Sequence, residues 1–133
     1  MKEVLDSRFF SVLLFEADEK LVAAARAKLV QVRREKRGIV PAVVVAEVMN
    51  LVCREAGRDR AWEHLRALEV SGLDLASLDP GVAAQAGMLQ CSYRDLPLAD
   101  AIVAAVAMEN DGRVISDDPH FDLVRGLRVA WIA

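Results

Sequence analysis

Short apolar runs alternate with longer segments of helical period along the chain. The runs "EVL" (3–5), "IV" (39–40), "LDLASL" (73–78), "RVIS" (113–116) and "RVAWI" (128–132) are bounded by polar or turn residues, as buried strands are. Between them, Leu21/Ala25/Leu29/Val32 and Val82/Ala86/Leu89/Tyr93 recur at the spacing of amphipathic helices. Trp62, Leu65 and Leu68 add a shorter helical stripe beyond the break at Gly57. Pro80 and Pro97 read as helix starts, with proline at the first helical position. Pro41 opens in the same way a helix that carries "VVVAEVMNLV" (43–52).

Strands separated by helices imply parallel pairing through right-handed crossovers. The expected fold is therefore α/β, a three-layer α/β/α sandwich around a mainly parallel sheet of four to five strands. No repeat, linker or low-complexity tract divides the chain, so residues 1–133 read as one domain. In such open sheets ligands bind beyond the carboxyl ends of the strands, where strand order reverses.

The acids fall at those ends. Asp6 directly follows the first strand, and Asp117 and Asp118 directly follow the fourth. They converge if the two strands are neighbours. Glu47 lies one to two turns into the helix after the second strand, and Asp100 one turn into the helix before the fourth. Each aspartate also has a purely structural reading. Asp6 and Asp118 stand where helix N-caps would, and Asp100 suits the positive end of its helix dipole. Glu47 is harder to explain so. It lies beyond the first turn of an apolar helix, Asn50 shares its face, and Arg54, the nearest cation, is seven residues away.

Two carboxylates about 4 Å apart repel by roughly 4 kcal/mol at an effective dielectric of 20. Converging acids with no lysine among them therefore hold protons or bind cations. An all-oxygen set suits Mg²⁺ or Mn²⁺, whereas zinc would call for Cys or His, and His64 and His120 are few and scattered.

Composition narrows the setting. A hydrophobic fraction of 54% with 28% charged residues fits a folded, water-soluble chain. No apolar run reaches the roughly 18–20 residues that span a bilayer, and the first residues read as a strand rather than a signal peptide. Cys53 and Cys91 lack CxxC spacing and lie in apolar contexts, which predicts buried free thiols and a reducing cytoplasm. A net charge of −3 argues against a broad positive surface for nucleic acid. Basic residues nevertheless crowd into positions 26–37, and Arg33, Arg34 and Arg37 belong either to a solvated helix face or to a phosphate-contacting edge.

The order of acids resembles the PIN domain family, in particular its small VapC-type toxins. The matching features are Asp6-Ser7 after the first strand, Glu47 in "VVAEVMN", Asp100 in "LPLADAIVAAVA", and Ser116-Asp117-Asp118-Pro119-His120-Phe121 after a later strand. That register assigns the metal-site role to Asp118, makes Asp117 the intervening residue, and puts Ser116 where a hydroxyl would support metal-bound water or substrate. The resemblance implies an endoribonuclease in which Asp6, Glu47, Asp100 and Asp118 hold one or two Mg²⁺ or Mn²⁺ ions, with Ser7 and Asn50 in support. It also implies rim contacts to single-stranded or structured RNA, a homodimer and a cognate antitoxin. Arg8 departs from the family's usual small or aliphatic residue, and would contact phosphate or fill the acidic pocket. A PIN fold that binds without cutting, or one acting in RNA processing outside toxin–antitoxin pairs, is the second reading. A receiver domain would pair its acids after the first strand, and a haloacid-dehalogenase-type phosphatase would carry Asp-x-Asp there; "LDSR" offers neither.

Overall fold

The computed structural model describes all of residues 1–133. Its five strands are β1 (Glu3–Leu5), β2 (Gly38–Pro41), β3 (Asp74–Ala76), β4 (Arg113–Ile115) and β5 (Arg128–Ala130), all parallel, in the order β3-β2-β1-β4-β5. Six helices complete an α/β/α sandwich: α1 (Ser7–Phe15), α2 (Glu19–Arg34), α3 (Ala42–Ala56), α4 (Arg58–Glu69), α5 (Pro80–Ser92) and α6 (Leu98–Glu109). A 3₁₀ turn, Pro119–Leu123, links β4 to β5.

The three central strands are covered on both faces, so their apolar residues run on without alternation. Val4, Leu5, Ile39, Val40, Val114 and Ile115 are all fully buried. Helix α6 packs across β1, β2 and β4 and is buried from Ala101 to Val106 and Ala107. Its alanines let the helix lie close to the sheet. Phe9 and Phe10 anchor α1 in the same core and meet edge to face.

Chain direction decides where chemistry can sit. From β1 the chain builds outward through β2 to β3, then returns to place β4 on the other side of β1. Strand order thus reverses between β1 and β4, where Leu5 lies opposite Ile115. Asp6 and Ser116 leave the sheet side by side at that point.

Several local expectations shift. The edge strands β3 and β5 are shorter than their apolar runs, because each has a pairing partner on one side only. Pro97 is the N-cap of α6 rather than its first residue. The buried stripe of α4 is Ala61 and Leu68, while Trp62 is 53% exposed. The thiols are free, but Cys91 is exposed and Cys53 half-buried, since the core-facing stripe of α5 is Val82, Ala86 and Leu89. No helix is long and apolar enough to cross a membrane.

Gly112 admits β4 to the sheet. A Cβ there would stand 2.8 Å from the Lys2 backbone oxygen, which already accepts from the Arg113 amide at 3.0 Å. Gly112→Ala is expected to cost about 1–3 kcal/mol, because backbone rather than a flexible side chain must move. Urea denaturation measures it; an unchanged midpoint would mean that the strand entry is looser than this geometry.

Candidate active site

Asp6, Glu47, Asp100 and Asp118 come together at the carboxyl end of the sheet. Asp6 is only 2% exposed and holds the N-cap position of α1 without making a capping hydrogen bond. Its Oδ2 instead accepts from the Ser116 hydroxyl at 2.8 Å. The Ser116 Oγ in turn accepts from the Asp118 amide at 3.0 Å, so its proton is committed to Asp6. Ser116 therefore aims the Asp6 carboxylate with its one proton, while its oxygen accepts from the Asp118 amide.

Asp118 does cap the 3₁₀ turn, through Oδ1 and the His120 amide at 2.9 Å, yet the same carboxylate faces Asp6, Glu47 and Asp100. Capping and clustering coexist. Asp100 sits in the first turn of α6, where its helix begins beside the cleft. Glu47 lies on the open flank of α3, whose buried stripe is Val44, Val48 and Val52, so the charge never enters the core. No ion pair joins it to Arg54. Ser7 approaches Glu47, whereas Asn50 is exposed one turn further along the helix.

The electrostatics follow from this crowding. Asp100 is pushed up to about 6, first by burial and then by the charges of Asp118 and Asp6. Burial also raises Asp6, with Asp118 adding to it and the Ser116 hydrogen bond opposing. Glu47 rises through partial loss of water and then through Asp6, against the pull of Ser7. No lysine or arginine pairs with any of the four. The arrangement is an anionic pocket held at a cost, which a hard cation would relieve.

The PIN domain family model matches residues 4–127, a span that includes all four acids. The chain belongs to the PIN domain family. No curated protein matches it. Solved structures resemble it closely in fold at low identity. A chain of VapBC2 from Rickettsia felis, bound to a promoter DNA fragment, has a TM-score of 0.79 at 12% identity over 98% of both chains. A chain of DNA-bound VapBC from Salmonella typhimurium has a TM-score of 0.78 at 14%, over 100% of this chain and 99% of that one. Mycobacterium tuberculosis VapC20, a sarcin-ricin loop cleaving toxin, has a TM-score of 0.71 at 15%, over 89% and 91%.

Other residues of this PIN domain fall less neatly. Arg8 does not fill the acidic pocket. Its Nε and Nη2 meet the two Asp117 oxygens at 2.9 and 3.2 Å at the rim, which lowers the Asp117 pKa. Arg33, Arg34 and Arg37 lie far from the acids, because α2 runs back to the start of β2 and ends at the opposite edge of the sheet. There Arg33 donates to the Ser71 carbonyl at 2.8 Å, Arg34 is exposed, and Arg37 pairs with Glu35 and Glu3. A phosphate-contacting role at this cleft does not fit that placement. His120, set aside in the sequence as scattered, stands within the cluster: its Nδ1 is 2.9 Å from Asp118 Oδ1 and 3.2 Å from Asp100 Oδ2. Its place two residues after Asp118 was the available signal. His64 is elsewhere, against the Phe10 ring.

Proposed function

We propose that this PIN domain is a Mg²⁺- or Mn²⁺-dependent endoribonuclease and the toxin of a toxin–antitoxin pair. The convergence of four carboxylates at the switch point, with no lysine or arginine paired to any of them, carries the reading. The donor set fits a hard divalent ion, and Asp6, Glu47, Asp100 and Asp118 would hold it. Such an ion supplies an attacking water of lowered pKa and offsets charge on the scissile phosphate.

The chain's own groups have separate tasks. Asp6 is buried and fixed by Ser116, so it is the rigid reference of the site. Glu47 stands on the open side, where water and the RNA strand enter, and can accept a proton from water there. Arg8, tied to Asp117, leaves its Nη1 at the rim for a phosphate oxygen, and the pair keeps the guanidinium out of the pocket. The VapBC neighbours support a cognate antitoxin as partner, and an apolar groove is consistent with a partner surface. Phe10, Leu13, Leu14, Leu29 and Leu68 line a cavity of about 190 Å³ between α1, α2 and α4. Single-stranded RNA as substrate and a homodimer as the assembly belong to the same reading.

The test is cleavage of a single-stranded RNA with Mg²⁺, with Mn²⁺ and with EDTA. Cleavage is expected only with metal, leaving 5′-phosphate ends. Asp6→Asn should lower the rate about 10³-fold, roughly 4 kcal/mol of transition-state stabilisation. Equal cleavage by wild type and variant, or cleavage in EDTA, would overturn the proposal.

A further inference from the structure

We infer that His120 is itself a ligand of the ion held by Asp100 and Asp118, and that its nitrogen makes this site prefer Mn²⁺ to Mg²⁺. The inference rests on the metal-site reading above and adds to it a donor of different chemistry.

Geometry is the ground. One carboxylate oxygen each from Asp100 and Asp118 and one imidazole nitrogen of His120 all lie within 4.8 Å of one another. An octahedral ion with ligands at 2.0–2.1 Å sets neighbouring ligand atoms about 3.0 Å apart. The Nδ1 distances of 2.9 and 3.2 Å to the two carboxylates bracket that value. Two of the three separations between these donor atoms thus match neighbouring positions around one ion.

The imidazole is also held in place. The His120 amide is fixed on Asp118 Oδ1, and the next residue, Phe121, is fully buried in the core. The 3₁₀ turn of Pro119–Leu123 thus holds the His120 backbone at the cleft from both sides, and the ring reaches the two carboxylates from there. Chemistry supplies the preference. Mg²⁺ favours an all-oxygen shell, while imidazole binds the first-row transition ions better.

Two measurements on tag-free, full-length protein test this, with Mn²⁺ and Mg²⁺ alone as probes. Calorimetric titration should give a Mn²⁺ affinity that falls about tenfold in His120→Ala, with Mg²⁺ affinity changed less than about threefold. Pulsed electron paramagnetic resonance of the Mn²⁺ form should show ¹⁴N modulation from a bound imidazole, lost in His120→Ala. His64 is the only other histidine, so the loss assigns the signal. Mn²⁺ that binds wild type without ¹⁴N modulation, or binds His120→Ala as tightly, would overturn the inference and leave the carboxylate site standing. If Mn²⁺ does not bind wild type, or binds Asp100→Asn equally well, the metal-site reading fails as well.

Discussion

Asp100→Asn is expected to lose RNA cleavage about 10³-fold while the metal-free protein becomes more stable. The two effects have one cause. Asp100 is held among Asp118, Asp6 and Glu47 in a partly buried cleft, and its pKa of about 6 records the strain of keeping it charged there. Because the folded-state pKa lies above the ordinary value of 3.8, the folded protein binds the extra proton more readily than the unfolded chain does. The destabilisation is fully present above pH 6 and is relieved as pH falls from 6 toward 4. At about 1.4 kcal/mol per pKa unit the shift is worth about 3 kcal/mol, which partial access to water reduces to on the order of 2 kcal/mol at pH 7. Asparagine keeps the shape and removes the charge. In EDTA at pH 7 the variant should melt about 5 °C higher than wild type. Wild type should gain a little under half of that difference on moving to pH 5, and the variant should not. A variant less stable than wild type at pH 7, or an acid-insensitive wild type, would mean that the carboxylates are not in repulsive contact.

The sheet and its switch point were legible because short apolar runs alternate with helical stripes, and parallel connections leave few topologies. Asp6 and the Asp117–Asp118 pair were legible because position after a strand is a local property, and the family resemblance singled out Asp118. Glu47 and Asp100 could be read because a charge in an apolar helix needs somewhere to face. What escaped depended on pairing across the chain. The Ser116–Asp6 hydrogen bond and the Arg8–Asp117 pair each span about 110 residues and exist only because β1 and β4 are neighbours. Arg33, Arg34 and Arg37 carried two readings in the sequence, a solvated helix face and a phosphate-contacting edge, and their placement favours the first. A basic cluster at the end of a crossover helix lies at the start of the next strand, so it points away from the carboxyl ends. That geometry was implicit in the alternation itself.

Glu3 is the residue least visible in sequence and the one with the largest expected effect on stability. In "EVL" it looked like the edge of a strand, yet it is 0% exposed and receives three cations. Arg113 Nη2 lies 2.9 Å from Oε1, Lys28 Nζ 3.2 Å from Oε2, and Arg37 Nη2 3.9 Å from Oε1. Burial alone would push its pKa up, but the hydrogen bonds and charges of Arg113 and Lys28 outweigh it and hold the carboxyl below its ordinary range. Glu3 therefore contributes stability that is present above its ordinary pKa of 4.5 and lost as pH falls through the lower folded value. Acid unfolding should start there, on the far side of the window in which Asp100 gains. Glu3→Gln leaves the cations facing a neutral amide. Breaking a buried pair typically costs 3–5 kcal/mol, but these cations keep some access to water, so about 2–3 kcal/mol is expected. Urea denaturation at pH 7 measures it, with a melting temperature lower by roughly 5–10 °C as the companion readout. A loss below about 0.5 kcal/mol would show that water already screens the cluster. Nuclease activity per folded molecule should be unchanged, because Glu3 begins the strand whose other end delivers Asp6, and its partners all lie at the opposite edge of the sheet from the acids.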